Sequence, residues 1–108
     1  MNFNTILLLL INLILTSSLY AKEKVSTIPS QIFKGCAKCH GKYGKNEAFG
    51  RAEPIAGQKV EDLVESINFF KDSTFGKEGV ILVMSKQVSH LNQKQIEKLA
   101  KYISKLGK

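Results

Sequence analysis

Cys36-Ala37-Lys38-Cys39-His40 places two thiols two residues apart, with an imidazole directly after the second. At the end of a helix, each thiol can add to one of the two vinyl groups of a haem. The histidine then lies under the iron and can donate a nitrogen ligand. Two thioether bonds would hold a cofactor that a small chain could not enclose by packing alone. A dithiol redox pair shares the cysteine spacing but expects a preceding strand in a βαβ setting, and neither pattern is present. A zinc site would have to draw on Cys36, Cys39 and two histidines, His40 and His90. Adjacent Cys39 and His40 do not easily reach one tetrahedral ion, and the spacing fits no zinc pattern. A disulfide across so short a loop contributes little stability and leaves His40 without a role. Haem attachment accounts for all three residues.

A six-coordinate haem iron in an electron carrier needs a second ligand, usually Met or His. Besides the initiating residue the chain has one methionine, Met84, and besides His40 one histidine, His90. Met84 ends the apolar run Val80-Ile81-Leu82-Val83 and could present its sulfur to the haem face. Ordinary core filling is the competing role for such a methionine. His90 lies next to Asn92 at the start of the last helix, where an exposed linker role suits it better, and an open sixth site is the third alternative. Met84 is the favoured ligand. A thioether favours ferrous iron relative to a second imidazole, and it closes the iron to oxygen and peroxide. It therefore points to electron transfer, with a haem sensor or small catalytic haem protein as the alternative that an open site would imply.

Several elements must position these groups. Pro29 suits a first helical turn, and Ile32, Phe33 and Cys36 follow at helical spacing, predicting a helix from Pro29 to Cys36. Residues 41–57 hold Gly41, Gly44, Gly50, Gly57 and Pro54 with little apolar periodicity, which predicts a long loop. Val60, Leu63, Val64, Ile67 and Phe70 form an apolar stripe on a helix expected from Lys59 to Lys71. A polar loop to Gly79 follows. Val80 to Met84, read in isolation, predicts a buried strand, with a loop packed over an apolar cofactor as the competing reading. Asn92 and Gln95 form a capping box, with Leu91 and Ile96 as its hydrophobic staple. Ile96, Leu99, Ala100, Ile103 and Leu106 then line one face of the last helix, and Gly107 fits its stop.

The N-terminus reads differently. Ile6 to Leu15 is apolar apart from Asn12, and Thr16-Ser17-Ser18-Leu19-Tyr20-Ala21 precedes the first charge at Lys22. An apolar run of about ten residues is short of the roughly 20 that span a bilayer. It has the length of a secretory signal core, with cleavage after Ala21. No Lys or Arg precedes the run, and Leu19 stands where a small residue is usual, so an uncleaved anchor or buried helix remains the alternative. Residues 1–21 are thus expected as an export signal and 22–108 as one small domain, the kind that leans on a cofactor. All 16 Lys and Arg and all 9 Asp and Glu lie beyond Ala21, so that domain keeps the net charge of +7. Such a basic protein suits an acidic partner surface, an anionic membrane or nucleic acid. Export and the lack of aromatic-interleaved basic stretches exclude nucleic acid.

With these residues in view, the chain resembles the class I c-type cytochromes, and most closely the small bacterial cytochrome c553 type, from about Phe33 to Leu106. The matching features are Phe33 before Cys36-Ala37-Lys38-Cys39-His40-Gly41, then Gly44, Pro54-Ile55-Ala56-Gly57-Gln58, Met84, and Leu99-Ala100-Lys101-Tyr102-Ile103-Ser104-Lys105-Leu106. The resemblance implies an all-α fold with crossing N- and C-terminal helices, Phe33 near Tyr102, and one covalently attached haem c in a central crevice. It implies Cys36 and Cys39 as thioether sites, and His40 and Met84 as axial ligands. Pro54 resembles the proline whose carbonyl accepts the ligand histidine's Nδ1–H, with a plain turn role as the alternative. Pro29 stands where the family often has Gly, which implies a shifted crossing or a shorter first helix. The family's role is that of a monomeric periplasmic shuttle, not an enzyme. Its partners are redox proteins with acidic docking surfaces: a quinol-oxidising complex, and a terminal oxidase or cytochrome c peroxidase. Lys34, Lys38, Lys42, Lys45, Lys77 and Lys86 lie near the haem-bearing segments and could steer such encounters, or form an ordinary solvated surface.

Overall fold

A computed structural model describes residues 2–20, 27–73 and 78–108, with 13–20 described by backbone alone. Ala21, the polar stretch after it, and Lys77 with most of its loop lie outside the described residues. The elements are helices α1 (Phe3–Tyr20), α2 (Pro29–His40), α3 (Val60–Asp72), α4 (Gly79–Val88) and α5 (Gln93–Lys105), plus a 3-10 turn, Ala48–Gly50. No strand occurs among the described residues, so the fold is all-α.

The described side chains of α1 are exposed, and none belongs to the core. Among the described residues no helix is long and apolar enough to cross a membrane. The core is built instead from Phe33 of α2, Leu63 and Ile67 of α3, Val88 of α4, and Ile96, Leu99, Ala100 and Ile103 of α5. Leu91, in the turn between α4 and α5, completes it.

Helix α5 is central because its apolar stripe is wide enough to meet two partners, α2 and α3. Its start is fixed reciprocally. The Asn92 side chain accepts from Gln95 N, and the Gln95 side chain accepts from Asn92 N, both at 2.8 Å. Leu91 and Ile96, expected to form the staple, are both buried. Near the other end, the Phe33 and Tyr102 rings meet with centroids 5.4 Å apart at 53°. A tilted aromatic pair of this kind contributes about 1 kcal/mol beyond its buried area. Lys71, in the last turn of α3, donates to the Leu91 carbonyl at 2.5 Å and so ties α3 to the turn that leads into α5.

Two boundaries differ from the sequence expectation. Helix α2 does not stop at Cys36 but continues to His40, where Gly41 turns the chain at φ 83°. That positive φ favours glycine, and a Cβ there would also crowd the Asn46 side chain at 2.7 Å. Pro29 opens this helix without shortening it. The larger correction is Val80 to Met84, expected as a strand or a packed loop and found inside α4. Its continuous apolar run has no periodicity of its own, so the helix is not legible within it. Ser85 and Val88 are buried, while Lys86 and Gln87 are exposed.

Candidate functional site

Helices α2, α3, α4 and α5 and the loop after α2 enclose a cavity of about 430 Å³. Cys36, Cys39 and His40 enter it from the last turns of α2, and Met84 from the middle of α4. Leu63, Ile67 and Phe70 of α3 and Leu99 and Ile103 of α5 add apolar surface, and Ala48, Phe49 and Ile55 come from the loop. A largely apolar cavity of this size, with a few convergent polar groups, is the ordinary form of a cofactor site.

The helical extension to His40 matters for this arrangement. Cys36 and His40 are four residues apart on α2 and thus share a face, and Cys39 lies beside them. The His40 carbonyl accepts from Asn46 N at 3.0 Å, which fixes the backbone that carries the imidazole. The ring is buried, and burial holds its pKa below the ordinary value by penalising the charged form. Its Nδ1 is buried without a hydrogen-bond partner. A buried imidazole held neutral is suited to donate one ring nitrogen to a metal ion while the other bonds a protein carbonyl. An apolar cavity with such an imidazole, and with two thiols at its wall, fits a covalently attached haem.

The two thiols differ. Cys36 is half-buried, and its pKa is pushed up to about 11 by burial, which a backbone hydrogen bond partly opposes. Cys39 is exposed. Neither is in a disulfide.

The remaining candidates separate clearly. Met84 lines the cavity, whereas His90 is exposed in the turn after α4 and lies off it. Pro54 is exposed, and its carbonyl accepts from Gln58 Nε2 at 2.9 Å. Among the exposed lysines near these segments, Lys38 lines the cavity.

Sequence reasoning missed several contributors. Val80, Val83 and Gln87 line the cavity with the expected Met84 and recur with it at three- and four-residue steps along α4. That spacing is the legible trace of the helix, hidden by the uniformly apolar run. Ser66 belongs to the α3 wall, one residue from the recognised stripe. Phe49 gives no pattern at all, as a lone aromatic in a glycine-rich loop. It has a left-handed backbone, φ 56° and ψ 21°, which costs a bulky residue on the order of 1–3 kcal/mol.

No family model matches the chain. It is 31% identical over 75 residues to a protein named cytochrome c-553 from Nitratidesulfovibrio vulgaris, an alignment covering 69% of this chain and 72% of that one. It is 29% identical over 87 residues to a cytochrome c-553 from Helicobacter pylori, covering 81% and 86% respectively.

Proposed function

The chain belongs to the cytochrome c-553 family of monohaem electron carriers with covalently attached haem c, and on that premise we propose that it works in the periplasm with His40 and Met84 as axial ligands. The observation that carries the ligand assignment is that both side chains line one apolar cavity, from different helices, while His90 lies off it.

Bound there, the haem supplies a one-electron couple between ferric and ferrous iron. Cys36 and Cys39 would anchor it, each by adding its sulfur to a vinyl carbon with the thiol proton going to the neighbouring carbon. His40 would offer one ring nitrogen to the metal and leave Nδ1 for a loop carbonyl. The proposed acceptor, Pro54, instead accepts from Gln58 Nε2 here while Nδ1 has no partner, so that bond would require the loop to shift. Met84 would supply a neutral sulfur, which would exclude competing small ligands and raise the potential relative to a second imidazole. The apolar side chains of α3 and α5 keep water from the cavity floor.

Residues 1–21 are removed on export in this reading, and 22–108 form the working domain. The exposed apolar face of α1, which adds nothing to the core, supports it. N-terminal sequencing of the exported protein should begin at Lys22. The electron donor is a quinol-oxidising complex and the acceptor a terminal oxidase or peroxidase, met through acidic surfaces by a monomer.

The ligand assignment is tested by the ferric absorption spectrum. Sulfur ligation gives a weak far-red band that survives added cyanide only while the sixth position stays closed. Met84→Ala should abolish the band and admit cyanide, whereas His90→Ala should leave the spectrum unchanged. A band that persists in Met84→Ala overturns the assignment.

A further inference from the structure

Phe49 is the one non-glycine residue with a positive φ among the described residues. Aromatic side chains avoid this region because their Cβ crowds the backbone, so the surroundings must hold the residue there. Three backbone hydrogen bonds lock the turn: Gly50 N to Glu47 O at 2.9 Å, and Arg51 N and Ala52 N to Ala48 O at 3.2 Å each. Ala48, buried against the cavity, anchors the same turn from below. Phe49 lines the cavity that Cys36, His40 and Met84 also line, yet it is 55% exposed. A side chain that lines the cavity yet keeps over half of its surface exposed stands where the cavity opens. Gly50, the adjacent left-handed residue, has no atom near the space its Cβ would take, so it gives no such cover.

We infer that Phe49 is the water-excluding cover of the haem edge and helps set the reduction potential, its strained backbone being retained to keep the ring at the mouth. This rests on haem occupying the cavity. Reduction adds one electron, supplied by the donor protein, to ferric iron and yields ferrous iron, so the positive charge in the cavity falls by one. Water at the mouth favours the more charged ferric form, and an apolar ring there favours the ferrous form. The ring thus acts in the same direction as the Met84 sulfur.

Potentiometric titration of the haem-loaded protein tests the role. Phe49→Gly opens the mouth and also relieves the left-handed strain. Its potential should fall while its melting temperature is held or raised, a combination that loss of packing alone would not give. Phe49→Leu keeps apolar cover and should stay near the parent potential. Should the glycine variant not accumulate, Phe49→Asn tolerates the same backbone with a polar side chain, and its potential should also fall. An unchanged potential in Phe49→Gly, or a fall in Phe49→Leu as large as in Phe49→Gly, overturns the inference. The far-red ferric band should remain in every variant. Its absence from the unaltered protein would overturn the Met84 assignment instead, so the two failures are distinguishable.

Discussion

Cys36 and Cys39 belong to one motif, but their environments give them different reactivities before any haem is attached. The thiolate is the reactive form. Cys36 is held protonated by burial, with its pKa at about 11, while Cys39 is exposed. In the haem-free chain, alkylation at neutral pH should therefore modify Cys39 first, with Cys36 reacting readily only as the pH approaches 11. Mass spectrometry of a digest taken at intervals would give the order. Equal rates would mean that α2 does not pack until the cofactor is present. The same shift has a consequence for stability. The folded pKa of Cys36 lies above its ordinary value of 9.0, so the native state favours the neutral thiol. That contribution is complete below pH 9 and is lost as the pH rises through about 11. Residue identities announced the attachment chemistry in advance, because Cys-x-x-Cys-His sets two vinyl-reactive sulfurs and an iron ligand at one fixed spacing. They did not announce which thiol is buried, since that depends on the core cluster against which Cys36 packs, whose residues are distant in sequence. Phe49 was equally silent: its role comes from a backbone angle, and no residue type signals it.

The elements differ in how far local sequence specifies them. The N-terminus of α5 has its own instructions in Asn92 and Gln95, and the capping box forms as read. Replacing Asn92→Ala removes the acceptor for Gln95 N and should cost about 1 kcal/mol. For a domain of this size that is a fall of roughly 4–8 °C in melting temperature. Thermal unfolding of the haem-loaded protein measures it, and the far-red band should be unaltered at low temperature because Met84 lies on α4. A variant with the parental melting temperature would show that packing of Leu91 and Ile96 fixes the helix start without the cap. Helix α4 is the opposite case. Within Val80 to Met84 every position is apolar, and such a run reads as a buried strand or a packed loop, whereas it is helical. The helix is decided by its environment: one face carries Val80, Val83, Met84 and Gln87 to the cavity, and another carries Ser85 and Val88 inward. A run that faces a cofactor on one side and a core on the other need not show amphipathic periodicity, and its secondary structure cannot be read without knowing that both surfaces are apolar.

At the scale of the molecule, charge is what the surface offers to a partner. The chain carries +7, and Lys34, Lys38, Lys42, Lys45 and Lys86 are all exposed around the segments that form the cavity. Lys38 belongs to both surfaces, since it also lines the cavity. Opposite charges separated by more than a Debye length, about 10 Å at 0.1 M salt, are largely screened, so any steering must weaken as salt rises. Electron exchange with an acidic redox partner, followed by stopped flow, should therefore slow markedly between low and high ionic strength. A rate flat across that range would overturn the idea of steering. A charge-reversed Lys38→Glu should slow exchange at low salt and flatten the salt dependence, while the far-red band stays in place to show that the iron site is intact. Lys94→Glu, in the first turn of α5 and more than a turn before its cavity-lining residues Leu99 and Ile103, changes the net charge equally and separates local from global charge. If both variants slow exchange to the same degree, the protein is attracted by its total charge alone. If Lys38→Glu dominates, the partner docks at the cavity mouth, where electron exchange across the haem edge requires the shortest path.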